Sequence, residues 1–321
     1  CHAALRQGRG RSFVGRFVVR RLLLLIPTLL SVYTITFLLI HATPGGPWDT
    51  GDKPISEEAI AALNRAYGLD KPMWRQYTDY LLDAVRGDFG PSYSQRSRDV
   101  TDIVKDFLPV SIKLGVVAML IAAAIGITAG TIGAVKQNTP LDYLATFGAI
   151  VGVSSPSYVI ASLMILVFAS YLHWLPTGGW DGVFSKHAII PALALALGPA
   201  AALARYTRAS LLEVLRHDYI RTARAKGQHE RRVIIRHGLR NALIPVVTLM
   251  GLQFANVATG SFFVETVCGV PGIGRYFVRS IAVRDYPVIL ATTLIFAVAI
   301  SVMNLLVDLL YGVLDPRISY D

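Results

Sequence analysis

"RTARAKGQHERRVIIRHGLRNALIP", residues 221–245, sets a cluster of cations directly before one of the longest apolar runs of the chain. Whether that cluster is a solvated loop or a small folded unit decides how its surroundings are read. Asp218, just upstream, is a good helix N-cap, and Gly227 is a good residue to end a helix in the left-handed region. They enclose "YIRTARAK", residues 219–226, roughly two turns and about 12 Å of helix. So short a helix is not stable alone, and something must pack on it. A second helical pattern, "RRVIIRHGLRNALIP", leads back into apolar sequence. Composition alone is equally met by a plain basic loop beside a membrane.

The surroundings are those of a membrane protein. Of 321 residues, 53% are apolar and only 16% charged, against about 25% charged in soluble domains. Runs without Asp, Glu, Lys or Arg cover 22–40, 114–135, 143–180, 188–204, 241–264 and 286–307. Each is close to or longer than the roughly 17–25 residues that cross a bilayer core as a helix. The third is too short for two spans and a turn, and its end, "HWLPTGGW", reads as an interfacial loop. An all-α membrane protein with six transmembrane helices is therefore expected, the weakest being 188–204 with Pro191 near its start. The net charge of +10 does not point to nucleic acid, because the cations lie between apolar runs rather than on a solvated domain.

Basic residues orient the spans. Arg6, Arg9, Arg11, Arg16, Arg20 and Arg21 precede or open the first helix with no acid among them, and residues 205–240 carry ten Lys or Arg. Both segments are expected in the cytoplasm. Residues 42–108 hold eleven of the chain's 21 acids against eight bases and fall outside. An even helix count returns the C-terminus inward, so both termini are expected to be cytoplasmic. The expected organisation is a cytoplasmic segment 1–16, a first helix 17–41, an external segment 42–108, a core of five helices over 109–311 that includes the cytoplasmic stretch 205–240, and a tail 312–321. Within the external segment, Ser56 caps a helix through "EEAIAALNRAY" that stops at Gly68, and Pro72 opens another that stops at Gly87. These two amphipathic helices are read either as a packing cap or as a surface for an external partner. Cys1 inside and Cys268 outside cannot pair.

Small residues recur every four positions at Ala122, Gly126, Gly130 and Ala134, and again at Gly251, Ala255 and Thr259, as interhelix seams require. Polar residues inside spans are few: Ser154, Ser155 and Ser157 around Pro156, Gln253 with Asn256, and Asn304 with Asp308. Such groups pair between helices or line a pathway, and Ser154, Ser155, Ser157, Gln253 and Asn256 are the candidate pathway residues. Asp308 reads as an anchor to a nearby Arg. Catalytic and metal-binding patterns are missing. "HERRV" at 229–233 has Val233 where a zinc-protease motif needs its second His, "GVSSPS" lacks the glycine of a nucleophile elbow, and no GxxxxGK[ST] loop cradles a nucleotide. "GVPGIGR" at 269–275 reads as an external turn.

With these landmarks in place, "RTARAKG" followed by Pro245 resembles the cytoplasmic EAA loop of membrane subunits in binding-protein-dependent ABC importers. The best fit is the dipeptide/oligopeptide/nickel permease family, with Arg221 standing where the general pattern has Glu. "RGDFGPSY" at 86–93, "SSPSYVIASL" at 154–163, "ETVCGVPGIGRYFVRSIAVRDYPVI" at 265–289 and "LDPRISY" at 314–320 occur in the family's order, and together the resemblance covers 17–321. The long segment after the first helix resembles the B-type of the two permease subunits. The resemblance implies a type I ABC importer transmembrane fold in a bacterial or archaeal inner membrane. It also implies a second homologous permease, two cytoplasmic ATPase subunits holding ATP and Mg, an external substrate-binding protein and no cofactor on this chain. The 219–226 helix would dock in an ATPase groove through Asp218, Arg221, Thr222, Arg224 and Lys226, with Ala223 permitting close approach and Gly227 ending the helix. The substrate would be a peptide, with glutathione and nickel chelates also open. The rival reading is an autonomous secondary transporter or channel, which would carry ionisable groups deep in the bundle; an intramembrane enzyme would need a nucleophile and base.

Overall fold

The computed structural model describes the backbone of residues 2–48, 56–95 and 97–314, with side chains described from residue 18 to 306 apart from 259 and 260. Cys1, the side chains of Thr259 and Asp308, and "LDPRISY" beyond Leu314 lie outside the described residues.

The described chain is helical: α1 (His2–Ala42), α2 (Glu57–Ala66), α3 (Met73–Val85), α4 (Val100–Val135), α5 (Pro140–Ser154), α6 (Ser157–Met164), α7 (Ile189–Val214), α8 (Asp218–Ala225), α9 (Glu230–Arg232), α10 (Arg240–Val267), α11 (Ile273–Ala282) and α12 (Tyr286–Leu314). π-helical stretches continue α6 over Ile165–Tyr171 and join α9 to α10 over Val233–Leu239. Five helices are long and apolar enough to cross a membrane: Val18–Ala42, Val100–Val135, Lys186–Val214, Glu230–Ala258 and Tyr286–Leu306. The pair Pro140–Ser154 and Ser157–Tyr171 makes a sixth only if counted as one span, bent by 107°.

That bend corrects the expectation of one continuous helix after residue 143. Ser155 is extended, at φ −99° and ψ 125°, as a residue before proline prefers, and Pro156 has no N–H to continue the ladder. Prolines 27, 109, 199 and 245 stay inside helices, where neighbouring helices and hydroxyl groups tolerate them. Within the segment 42–108, α4 begins at Val100, so residues 100–108 are already its first turns.

The core is the contact of α4 with α7. Ala118, Ala122, Ala196, Ala200 and Leu203 are buried there. A β-carbon at Gly126 would stand 2.6 Å from the Ala200 carbonyl oxygen, and one at Gly130 would stand 2.7 Å from Thr207 Cβ and overlap the Ala204 carbonyl. The expected small-residue stripe is therefore a backbone-to-backbone seam. Gly251 and Ala255, on α10, are only half-buried.

Outside this core, Ser56 Oγ accepts from Ala59 N at 3.3 Å to cap α2, and Gly68 (φ +69°) and Gly87 (φ +82°) follow α2 and α3. Asp285, fully buried, accepts from Ser92 Oγ (2.5 Å), Tyr93 N (3.1 Å), Ser94 N (3.0 Å) and Ser94 Oγ (2.8 Å). It clasps the loop before α4 to the start of α12. Burial, and after it the Asp285 carboxylate, pushes the Tyr93 phenol above its ordinary pKa. "GVPGIGR" turns through Gly269 (φ +64°) and then opens α11, a helix not expected from the sequence. Buried Glu265 accepts from Arg275 N at 3.2 Å, across the N-terminus of that helix, where a carboxylate meets unpaired N–H groups.

Candidate functional site

The basic segment folds as a closed unit between α7 and α10. His217 occupies the N-cap position, extended at φ −70° and ψ 151° with no side-chain cap bond, and Asp218 is the first helical residue rather than the cap. There its carboxylate suits the positive end of the helix dipole, 3.6 Å from Arg221. Thr222 Oγ1 donates to the Asp218 carbonyl at 3.0 Å. At the other end Lys226 is the C-cap, and Gly227 takes φ +71°. Gly227 N donates to Arg224 O at 2.9 Å and Gln228 N to Ala223 O at 3.3 Å. These two bonds form a Schellman ending, which satisfies the last carbonyls of a helix through a left-handed residue. A Cβ at Gly227 would meet nothing within 4 Å, so only its backbone conformation calls for glycine.

The helix has a buried face and an open one. Ile220 and Ala223 are buried with Val233, and Leu215 packs against them. Ala223 thus faces its own chain, rather than the partner expected from the sequence. Its small size serves the approach of α8 to Val233. Arg221, Thr222, Arg224 and Lys226 are exposed. Arg224 is the engaged cation, with Nη2 at 2.7 Å and Nε at 3.2 Å from the Glu230 carboxylate; this pair closes the 225–229 turn and raises the Arg224 pKa further. Asn241 Nδ2 donates to Tyr219 Oη at 2.9 Å, and His237 Nε2 lies 2.9 Å from Gln228 Oε1. α8 is thus held between the end of α7 and the stretch that leads into α10.

The candidate pathway residues meet only in part. Ser155, Ser157 and Asn256 line one open cavity of about 130 Å³ at the α5–α6 break, together with Leu195 and Pro199 of α7 and Val257 of α10. Gln253 joins through Asn256, whose Nδ2 donates to Gln253 Oε1 at 3.2 Å. Ser154 is exposed and does not line the cavity. A void of this size with three polar side chains has room for several waters at about 30 Å³ each.

A charged pair not anticipated from the sequence ties this region to α7. Arg208 donates to Asp142 through Nε (2.6 Å to Oδ1) and Nη2 (2.7 Å to Oδ2), and Asn138 N adds a third bond at 3.0 Å. Asp142 is 2% exposed, so this bidentate pair fixes the start of α5 on α7, less than three turns before α8. Among the described residues no group of three or more His, Cys, Asp or Glu is placed to hold a metal.

The likeness to known proteins runs along nearly the whole chain. Residues 114–320 match the family model of the binding-protein-dependent transport system inner membrane component, and residues 14–115 match the N-terminal model of that membrane component. The chain is 44% identical over 305 residues to the oligopeptide transport system permease protein OppB of Escherichia coli K12, covering 95% of this chain and 99% of that one. It is 42% identical over 306 residues to the dipeptide transport system permease protein DppB of Bacillus subtilis, covering 95% and 98%. Among solved structures, an inward-facing conformation of the MetNI methionine ABC transporter superposes with a TM-score of 0.54 at 16% identity, over 66% of this chain and 96% of that one; this likeness concerns the fold.

Proposed function

Since this chain belongs to the family of binding-protein-dependent transport system inner membrane components, we propose that, as the permease subunit of an ABC importer, it carries peptides inward and is driven through α8. The observation that carries this reading is the folded α8 unit. It is a two-turn helix with a Schellman ending, its apolar face seated on Leu215 and Val233, and its cationic face open between two spans.

In this reading two cytoplasmic ATPases hold ATP and Mg, and their closure pushes on Arg221, Thr222 and Lys226, with Asp218 and Arg224 shaping the helix and Gly227 ending it. Because α8 is bound to α7 and α10, the push becomes a rigid-body exchange between inward-open and outward-open states. A second, homologous permease completes the pathway, and an external binding protein delivers the peptide. Ser155, Ser157 and Asn256, with Gln253, form the polar lining at the α5–α6 break. The bent pair counts as one crossing, giving six spans of a type I importer domain of B-type. The cytoplasmic parts are 1–16, 205–240 and 312–321, and 42–108 lies outside. The chain itself has no catalytic role.

The test is the pair of charge reversals Arg221→Glu and Lys226→Glu, made together in the reconstituted complex. Both side chains are exposed, so insertion and pairing with the second permease are expected to persist while ATPase association and ATP-dependent uptake fall. Unchanged uptake coupled to hydrolysis would remove α8 from the drive.

A further inference from the structure

The α3 helix presents two unlike flanks. Its inner face packs on α1 and α12: Tyr33 Oη donates to Tyr77 O at 2.7 Å, Tyr33 stacks on Tyr80 at 5.9 Å between centroids, and Tyr80 Oη donates to Pro287 O at 3.1 Å. At 3.6 residues per turn, Gln76, Asp79 and Asp83 fall to one side of that face, and they line a cavity of about 370 Å³ together with Arg65 and Lys71. To the other side fall Trp74, Thr78, Leu82 and Val85. There Trp74 is 67% exposed, Leu82 57% and Val85 81%. Arg75 and Arg86 border this apolar flank and are exposed as well.

The height of α3 is fixed by what it touches. Tyr33 lies nine residues before the end of α1 at Ala42, about 13 Å along the helix axis. On α12, Leu294 of the same cluster lies eight residues after Tyr286, about 12 Å. At that height α1 also exposes Ile35, Leu38 and Leu39, side chains that belong against acyl chains. A helix whose polar flank lines a cavity, whose apolar flank lies at the height of exposed apolar residues of a span, and whose edge carries two arginines has the pattern of an interfacial amphipathic helix.

We propose that α3 is a membrane-surface anchor, with its Trp74–Thr78–Leu82–Val85 flank immersed in the outer leaflet and Arg75 and Arg86 at the level of lipid phosphates. The leaflet assignment rests on the proposed external placement of 42–108. It makes α3 an element of the membrane-embedded body of the chain rather than a lid standing in water.

Spin labels on Trp74→Cys, Leu82→Cys, Val85→Cys and Asp83→Cys, in a Cys1→Ser, Cys268→Ala background, test it in the assembled complex. The complex is reconstituted in vesicles of phosphatidylethanolamine and phosphatidylglycerol. At 74, 82 and 85, relaxation by oxygen is expected to exceed relaxation by a water-soluble nickel chelate severalfold, with the order reversed at 83. Dominance of the chelate at 82 and 85 would put the flank in water, and exclusion of both agents would put it under a protein partner; either result overturns the proposal. An impermeant thiol reagent on Asp83→Cys in sealed cells reports the side independently. Absence of reaction there overturns the outer-leaflet placement together with the topology.

Discussion

The α4–α7 seam and the bent pair α5–α6 are both apolar, but they differ in how close their backbones come to α7. Along the seam, Gly126 and Gly130 sit so tightly on Ala200, Leu203, Ala204 and Thr207 that no β-carbon fits. Along the first arm of the bent pair, Gly152 approaches Leu197 and Ala201, yet a β-carbon at Gly148 would meet nothing within 4 Å, and a polar cavity opens where the arm breaks. Interiors packed at backbone distance have discrete arrangements and transmit displacement, whereas a broken helix beside a void absorbs it. Under the proposed function, the seam is the part that would carry a push from α8 along α7, and the break the part that would rearrange around a substrate.

The largest expected effect comes from cutting the link between the two regions. Asp142→Leu leaves the Arg208 guanidinium, itself partly exposed, without its carboxylate and is expected to cost about 3 kcal/mol, the low end for a buried pair, with Asp142→Leu/Arg208→Leu recovering most of it; thermal midpoints of the four proteins in a double-mutant cycle measure this. Next comes the seam: Gly130→Val must force α4 away from α7, and about 3 kcal/mol is expected, at the upper end of ordinary overpacking, read as earlier thermal aggregation of the solubilised chain. In the break, Asn256→Leu is expected to change stability by less than about 1 kcal/mol while lowering ATP-driven uptake severalfold. Failure of the complex to assemble would instead give Asn256 a packing role and weaken the contrast. The smallest effect sharpens it from the other side. Gly148→Ala, on the open arm, is expected to stabilise by about 0.5–1 kcal/mol, the opposite sign to the same substitution class on α4.

Much of this was legible in the sequence because apolar runs and small-residue spacing act locally. The spans at 22–40, 114–135 and 286–307 follow from the apolar runs and the Gly126–Gly130 stripe from its four-residue spacing. The break at Ser155 does not, since the chain has prolines inside four other helices that do not break, and the outcome depends on whether neighbours supply the lost bond. The early start of α4 was hidden by Asp102, Lys105 and Asp106, whose charges lie on exposed positions around buried Val100 and Ile103. The inward turn of Ala223 carried a signal that was available: Ile220 and Ala223 stand three residues apart, on one helical face, with the apolar Val233 ten residues on. Glu265, Asp285 and the Asp142–Arg208 pair were not legible, because each takes its meaning from a partner distant in sequence or from the space left by glycines 272 and 274.

The Asp285 clasp has a consequence for how the protein is made. Ser92, Tyr93 and Ser94 receive their acceptor from a residue 191–193 positions later, and ribosomes add roughly 5–20 residues per second. For about 10–40 s after the loop emerges, its donors have only water or transient partners, and the first span waits without the α12 surface against which Tyr33 and Phe37 pack. The loop before α4 is thus a late-closing piece of the molecule, completed only once residue 285 has been made.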